Sequence, residues 1–369
     1  MRSLLLGILA ILILAAPAGA APTAARVQIA LLLDTSSSMD GLINQARSRL
    51  WKIVTAMSTA RRDKTAATLE LALYEYGNSG LSAKSGYLRK VSDFTTDLDH
   101  VSEQLHTLTT NGGEEYCPTV IVTSVDNLGW SQDPGDLRMI VIAGNEPFGQ
   151  GAITPQEACK AANRKGITVT TLFCGNDQEG RRTGWYDGAT CSGGAYHAID
   201  TDEAMAYVTT PYDKELQTLN DRLNRTYLHY GAQGRKFKAR QSEQDANAVQ
   251  LSSAVMADRI AAKASGAYAN STWDIVDLAR TNPVAAAELK EDDLPAELKG
   301  KTAPERRQRI DQLATERERI NKDIRALDAK RADFIGQAQK AQASRPSTID
   351  EVILKSIRAL AEKKGFAMK

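Results

Sequence analysis

The sequence lacks several features that would assign a protein class directly. Among its 369 residues, 46 are Lys or Arg and 45 are Asp or Glu, so the formal net charge is only +1. A chain so close to neutral gives no reason to expect a nucleic acid or an anionic membrane as its partner. After the N-terminal segment, no apolar run reaches the roughly 20 residues that a membrane-spanning helix needs.

Catalytic signatures are also missing. The chain has no G-x-S-x-G elbow, no H-E-x-x-H pair and no G-x-x-x-x-G-K phosphate loop. Its four histidines are scattered, and nothing in the sequence places one beside the Ser-rich segment "DTSSSMDG" as a general base. An enzyme, such as a metal-assisted hydrolase, stays open as a class, but we expect a protein without catalytic residues.

The N-terminal segment "MRSLLLGILAILILAAPAGA" is typical of a secretory signal sequence. It has a short basic start, an apolar centre and a small-residue end at Ala18–Ala20. An uncleaved anchor is the alternative, but the apolar stretch is shorter than a membrane span needs. We therefore predict a signal peptide at residues 1–20 and a mature protein that is secreted or periplasmic.

Cysteine is scarce, with four residues in the whole chain. Outside the cytoplasm they can form disulfides, and no C-x-x-C spacing suggests zinc instead. Cys174 and Cys191 flank a polar, Gly-rich loop, so we expect a local Cys174–Cys191 bond, which leaves Cys117 to pair with Cys159. Four cysteines allow three pairings, and the sequence does not choose among them.

Residues 26–210 alternate between strand and helix patterns. The segments "VQIALLLD", "LRMIVIAGNE" and "ITVTTLFCG" are continuous apolar runs, typical of parallel strands buried on both faces. Amphipathic segments such as "GLINQARSRLWKIVTAM" separate them. This alternation predicts an α/β domain with a doubly wound, mostly parallel sheet that is covered by helices on both faces.

Residues 211–369 lack strand signals and read as a helical extension. A long polar segment at about 303–343 carries inner positions that alternate three and four apart, as in a coiled coil. These positions are Ile310, Leu313, Arg317, Ile320, Ile324, Leu327, Arg331, Phe334, Ala338 and Ala341. Because two of them are Arg, the seam either packs against an earlier helix of the same chain or pairs two chains as a homodimer.

The turn after the first strand, "LLLDTSSSMDG", has two interpretations. Asp34, Ser36 and Ser38 alternate, so in a turning loop their side chains can converge, and carboxylate and hydroxyl oxygens suit Mg²⁺ or Mn²⁺. Parallel sheets bind ligands at this edge, beyond the carboxyl ends of their strands. Alternatively, Ser38 or Asp40 only caps the helix that begins near Gly41.

The segment "LLLDTSSSM", placed between an apolar strand and a helix, resembles the D-x-S-x-S motif of von Willebrand factor type A domains. The resemblance covers about residues 26–210. It implies a doubly wound sheet and a metal-ion-dependent adhesion site, at which a bound cation engages an acidic group on a partner. By position, Asp34, Ser36 and Ser38 match the first loop of that site.

The other two loops depart from the family pattern. The second loop usually carries Thr after a Gly pair, and "TTNGGEEYCP" has Glu114 there, with Thr109 and Thr110 upstream. The third loop usually reads Thr-Asp-Gly after its strand, and here Ala143-Gly144-Asn145 stands in those places, followed by Glu146. We expect Glu114 to bind the metal directly and Asn145 or Glu146 to act through water, with Mg²⁺ as the first choice and Mn²⁺ or Ca²⁺ as alternatives.

The loop between Cys174 and Cys191 contains adjacent aromatic residues, Trp185 and Tyr186. Exposed, they would suit a protein contact; alternatively they fold back onto the sheet edge. The segments "TNGGEEYC", "IAGNEPF" and "YANSTWDIVDLA" also resemble a group of secreted bacterial proteins with an A domain and a helical tail, a resemblance that brings no defined activity.

Taken together, these patterns predict a binding module that lies outside the cytoplasm. Its cation would engage a carboxylate on a partner protein. The alternative is a structural scaffold with a degenerate metal site that assembles through its C-terminal helices.

Overall fold

The computed structural model describes residues 24–199, 207–340 and 349–368. The predicted signal peptide at residues 1–20 lies outside these ranges. The strands, in chain order, are β1 Arg26–Asp34, β2 Arg61–Arg62, β3 Thr65–Ala66, β4 Thr68–Tyr76, β5 Leu88–Thr95, β6 Leu137–Gly144, β7 Thr168–Cys174, β8 Tyr196–Ile199 and β9 Phe366–Ala367.

Helices follow or precede most of the strands. In chain order they are α1 Asp40–Met57, α2 Leu98–Thr107, α3 Cys117–Asn127, α4 Pro155–Arg164, α5 Asp177–Arg182, α6 Trp185–Thr190, α7 Asp213–Arg225, α8 Gly231–Leu251, α9 Ser253–Lys263, α10 Ile275–Thr281, α11 Pro283–Ala287, α12 Ala303–Lys340 and α13 Ile349–Lys363. No helix in the described part of the chain combines the length and apolarity that a membrane span requires.

The main sheet has the strand order β5-β4-β1-β6-β7-β8. Every neighbouring pair is parallel except β4 and β5, where the edge strand runs antiparallel. The chain leaves β1 for β4 on one side and later returns to β6 on the other, so β1 and β6 form a switch point of the kind that binds ligands in open α/β sheets. The doubly wound, mostly parallel fold predicted from the sequence is confirmed.

Alternate residues of β1 face two separate apolar cores. Ile29, Leu31 and Leu33 point into a core shared with α1 and the C-terminal helices, whereas Ala30 and Leu32 point into a core shared with α3 and α4. Both faces of the strand are therefore buried, which explains why its sequence is a continuous apolar run instead of an alternating one.

The C-terminal helices pack onto the sheet domain. Helix α1 lies against α9 and α13, and β9 pairs antiparallel with β2. Residues from α7, α9, α12 and α13 belong to the same apolar core as α1. The helical extension thus forms an additional layer over one face of the sheet.

The coiled-coil pattern of α12 packs within the chain. Its apolar positions from Ile310 to Leu327 are buried, and so are both inner arginines. Arg317 donates to Asp274 at 2.7 Å and Asp277 at 2.9 Å, while Arg331 donates to Asp258 at 2.7 Å. The two arginines thus meet aspartates on α9 and in and just before α10 of the same chain, whereas a homodimer through this helix stays a prediction. The predicted positions 341–343 lie outside the described residues.

Candidate functional site

The predicted loops meet at the carboxyl-terminal edge of the sheet, which we call the rim. Asp34 ends β1, and its register places it opposite Tyr76 at the end of β4. On the other side, Leu33 is paired with Ala143 near the end of β6. The Tyr76 hydroxyl donates to the Ala143 carbonyl at 2.9 Å, so a buried side chain links the ends of β4 and β6, the two strands on either side of β1.

The first rim loop brings Asp34, Ser36 and Ser38 together. Asp34 is fully buried, and its Oδ1 accepts the backbone N–H of Ser36 at 2.7 Å. The hydroxyl oxygens of Ser36 and Ser38 lie 3.3 Å apart. Two ligand oxygens at right angles around an ion at about 2.1 Å would be about 3 Å apart, so this separation suits neighbouring positions of an octahedral shell.

The helix-cap interpretation of this loop is not supported. Helix α1 begins at Asp40 with Met39 as its N-cap, and no side chain caps it. Asp40 instead accepts a hydrogen bond from Thr110 of the second loop at 2.6 Å. The hydroxyl of Ser38 therefore faces the rim, where it accepts from Asn145 Nδ2 at 3.1 Å.

The second rim loop contributes a different residue from the one predicted. Glu115 is buried and its carboxyl group contacts that of Asp34. Glu114, the predicted ligand, is exposed and accepts from the Tyr116 hydroxyl at 3.3 Å, so its role as a metal ligand stays a prediction. The backbone explains the difference: Gly113 has φ +144°, and this turn directs the side chain of Glu115 inward.

Glycines allow the loops to approach this closely. A Cβ on Gly113 would lie 1.5 Å from the Gly77 carbonyl oxygen, and a Cβ on Gly77 would lie 2.6 Å from Asp34 Oδ1. On the other side, a Cβ on Gly144 would lie 3.1 Å from Asp34 Oδ2. The carboxylate of Asp34 is thus enclosed by backbone on two sides, and only glycine fits at these positions.

The pKa values of the two carboxyl groups are raised, chiefly by burial. Burial raises the pKa of Asp34 from its ordinary value, against the effect of its hydrogen bonds. Burial raises the pKa of Glu115 to about 9, and the neighbouring Asp34 adds to that effect. Two carboxyl groups placed this close in a dry site favour sharing one proton, or a cation, over two uncompensated negative charges.

The third rim loop places Asn145 and Glu146 beside the carboxyl pair. Asn145 is half-buried and contacts Ser38, as described above. Glu146 is exposed, but its charge is close enough to raise the pKa of both Asp34 and Glu115. Its backbone carbonyl accepts the indole N–H of Trp185 at 2.8 Å, which fixes the loop from behind.

The oxygen atoms of this cluster suit a hard divalent cation. Among the described residues, Asp34 Oδ2, Glu115 Oε2 and Asn145 Oδ1 are buried acceptors to which no side chain or backbone group donates. Buried acceptors without a donor are unusual and often indicate a missing ion or water. In the described part of the chain, no group of three or more His, Cys, Asp or Glu forms a metal-ligand cluster. The ligands available at the rim are therefore two carboxylates, supplemented by hydroxyl and amide oxygens.

Comparisons with known proteins found matches only among solved structures. No family model and no curated protein matches the chain. Among solved structures, it is similar to proximal thread matrix protein 1 of the mussel byssus (12% identity, 48% of this chain, 43% of that chain, TM-score 0.36). It is also similar to the SpRpn10 VWA domain (13% identity, 48% of this chain, 90% of that chain, TM-score 0.35). A third similar structure is von Willebrand factor type A from Catenulispora acidiphila (16% identity, 48% of this chain, 39% of that chain, TM-score 0.34).

Because these likenesses have TM-scores below 0.5, the type A assignment made from the sequence stays a prediction. The match spans less than half the length of the mussel protein and of the Catenulispora protein. A second structure of the mussel protein is described as having a zinc-occupied metal-ion-dependent adhesion site. These likenesses concern the fold alone.

The two aromatic residues between Cys174 and Cys191 lie in different environments. Trp185 is fully buried against Phe148 and Phe173, so its predicted role as a partner contact was wrong, and it folds back onto the sheet. Tyr186 is 41% exposed and lies beneath the Arg181 guanidinium, 4.7 Å from it. Between Cys174 and Cys191 the chain forms the short helices α5 and α6.

The disulfide pairing also differs from the prediction. Cys191 is bonded to Cys159, with their Cα atoms 6.0 Å apart, and not to Cys174. Cys174 is buried at the end of β7, and Cys117 is a buried thiol whose sulfur lies 3.5 Å from the Tyr76 hydroxyl. The predicted pairings Cys174–Cys191 and Cys117–Cys159 were therefore both wrong. The reason is tertiary: α4 brings Cys159 to the end of α6.

Proposed function

We propose that this chain is a protein-binding module that works outside the cytoplasm and holds a divalent cation at its rim. The observation that carries the proposal is the set of buried acceptors without donors at Asp34, Glu115 and Asn145. Their removal from water is unfavourable unless something positively charged fills the space between them. Mg²⁺ is the first choice, and Mn²⁺ and Ca²⁺ fit the same oxygen set.

Each residue has a distinct task in this proposal. Asp34 and Glu115 supply negative charge, Ser36 and Ser38 supply hydroxyl oxygens, and Asn145 orients Ser38 through its 3.1 Å hydrogen bond. When bound, the cation supplies a positive charge that attracts an anionic ligand. Asp34 and Glu115 approach it from the protein interior, whereas Ser38 lies on the exposed side, so the side facing solvent is left for a partner.

The partner that fits this arrangement is a protein that offers a carboxylate. A carboxylate is a hard oxygen ligand and completes an incomplete shell of the same chemistry. Because Asp34 and Glu115 together neutralise two positive charges, the contact depends on coordination geometry more than on long-range attraction. Tyr186, exposed on the same loop segment as Trp185, would add an aromatic contact beside it.

Isothermal titration calorimetry on the mature protein tests the cation site. We expect saturable binding of at least one of Mg²⁺, Mn²⁺ and Ca²⁺ to the wild type, and its loss in Asp34→Ala. Asp40→Ala is the matched control, since Asp40 lies in the same turn but bonds only to Thr110 among the described hydrogen bonds. An absence of cation binding by the wild type would refute the proposal.

Capture of partners with and without EDTA then tests the adhesion step. A partner that requires a rim-bound cation is retained by the wild type, released by EDTA and not retained by Asp34→Ala. Blocking its Asp and Glu side chains by amidation should abolish binding. Retention that is indifferent to EDTA and to Asp34→Ala would show that partners bind elsewhere.

A further inference from the structure

The short helix α6 supports the third rim loop from behind. Trp185, its first residue, is fully buried and donates its indole N–H to the Glu146 carbonyl at 2.8 Å. Its ring lies edge-on to Phe148, with the ring centroids 5.2 Å apart. The backbone N–H of Phe148 in turn donates to the Thr183 carbonyl at 3.0 Å. Two hydrogen bonds and a ring contact thus hold the loop at both ends.

Helix α6 needs help to stay in place. It has six residues, far fewer than the roughly 12 that a helix needs to be stable alone in water. The Cys159–Cys191 bond joins its C-terminal end to α4. Asn163, one turn beyond Cys159 on α4, also donates to the Cys191 carbonyl at 3.0 Å. The bond therefore restrains the helix that carries Trp185.

This disulfide is within reach of a reductant. Cys191 is exposed and Cys159 is half-buried, whereas Cys117 and Cys174 are buried. A thiolate attacks a disulfide directly, so access to the sulfur governs the rate. The disulfide that helps to restrain α6 is thus open to attack by a thiol from solution.

We propose that Trp185 is a positioning residue for the third rim loop, and that the Cys159–Cys191 disulfide makes cation binding at the rim sensitive to thiol reductants. The inference rests on the proposed function. A dithiol reductant supplies two electrons and two protons: its thiolate breaks the S–S bond and forms a mixed disulfide, and its second thiol then releases the chain. The products are two thiols on Cys159 and Cys191 and one disulfide in the reductant.

Paired tryptophan variants test the role of Trp185. Trp185→Phe keeps an aromatic ring but loses the N–H that reaches Glu146. Trp130→Phe is the matched control: Trp130 is buried in the same apolar core and donates to a backbone carbonyl at 3.0 Å, but it lies before β6 at the opposite edge of the sheet. Loss of a group that orients a metal site costs about 10- to 100-fold in affinity.

We therefore expect cation affinity to fall at least about 10-fold in Trp185→Phe and less than about 2-fold in Trp130→Phe, with comparable losses of thermal stability. Equal affinities in the two variants would overturn the positioning role. Affinity losses that follow thermal stability in both variants would do the same, because they would show a general effect of core packing.

Hydrogen exchange on the cation-free protein tests the disulfide link without relying on metal binding. Reduction with dithiothreitol should speed exchange at the backbone amides of 144–148 and 183–191, and leave those of β1 unchanged. The variant carrying both Cys159→Ser and Cys191→Ser should show the fast exchange with or without reductant. Unchanged exchange at 144–148 after reduction would overturn this inference, whereas failure of the wild type to bind any cation would overturn the proposed function.

Discussion

Replacing Glu115 by Gln removes the carboxylate that Glu115 can offer to a cation while preserving the size of the side chain. The structure assigns Glu115 to the site because it is buried and in contact with Asp34. In the cation-free protein, the amide of Gln can still donate to Asp34, as the protonated carboxyl does. Because Glu115, with its raised pKa, must take up a proton when the protein folds at neutral pH and Gln needs none, the substitution should raise the free energy of unfolding of the cation-free protein.

The loss should appear in cation affinity. At an effective dielectric constant of about 20, a pair of unit charges about 4 Å apart attracts by roughly 4 kcal/mol, and a divalent ion doubles that gross value. Most of it is offset by desolvation and by the proton that the raised pKa of Glu115 keeps in place. We expect a net loss of about 1.4 to 2.8 kcal/mol, which is about 10- to 100-fold in the dissociation constant.

Glu114→Gln provides the control for the same charge change one residue away. Glu114 is exposed beside Tyr116, so its loss should change cation affinity by less than about 3-fold, through surface electrostatics alone. Calorimetric titrations of both variants, with chemical denaturation of each, separate affinity from stability. The assignment would be refuted if Glu114→Gln weakened binding as much as Glu115→Gln, or if Glu115→Gln bound as tightly as the wild type.

Three further outcomes are expected. Arg317→Met leaves the buried Asp274 without a charged partner and Asp277 with only Arg280, 3.9 Å away, so it should lower the free energy of unfolding by about 3 to 5 kcal/mol in urea titrations. Arg319→Met, on the exposed face of α12, should cost less than about 0.5 kcal/mol. Gly144→Ala should weaken cation binding in calorimetry, because its Cβ would displace Tyr76 or Asp34. Burial alone would raise the pKa of Asp245, but Lys263 and Arg259 lower it overall. The ionised carboxylate therefore stabilises the fold fully above about pH 4, and this contribution is lost as the pH falls further. In Asp245→Asn the free energy of unfolding should decrease less steeply with falling pH below about pH 4.

The sequence predicted the features that short-range patterns determine. Continuous apolar runs marked β1, β6 and β7, because both faces of these strands are buried. The alternation of Asp34, Ser36 and Ser38 predicted their convergence, since these residues belong to one loop. The spacing of apolar residues along α12 predicted a buried seam.

The features that the sequence missed depend on distant parts of the chain. Glu114 and Glu115 are adjacent, and only the turn at Gly113 decides which one faces inward. The disulfide pairing depends on where α4 packs, and the spacing of the four cysteines in the sequence does not predict that position. The burial of Trp185 depends on its contact with the loop after β6, a separate segment of the chain.

The seam of α12 shows the same limit. Its pattern was equally consistent with a second chain, and the aspartates that accept hydrogen bonds from Arg317 and Arg331 lie between 40 and 118 residues away in sequence. Periodicity identifies a face that is buried, but it does not identify what covers that face.

The most direct test of the account is an X-ray structure of the mature protein crystallised with Mn²⁺. The anomalous signal locates the ion independently of the fitted coordinates. The account predicts one strong peak at the rim, about 2.1 to 2.3 Å from oxygens of Asp34, Ser36 and Ser38, with Glu115 turned toward it. A rim without a peak at a saturating Mn²⁺ concentration, or a peak bound only by surface carboxylates elsewhere, would contradict it.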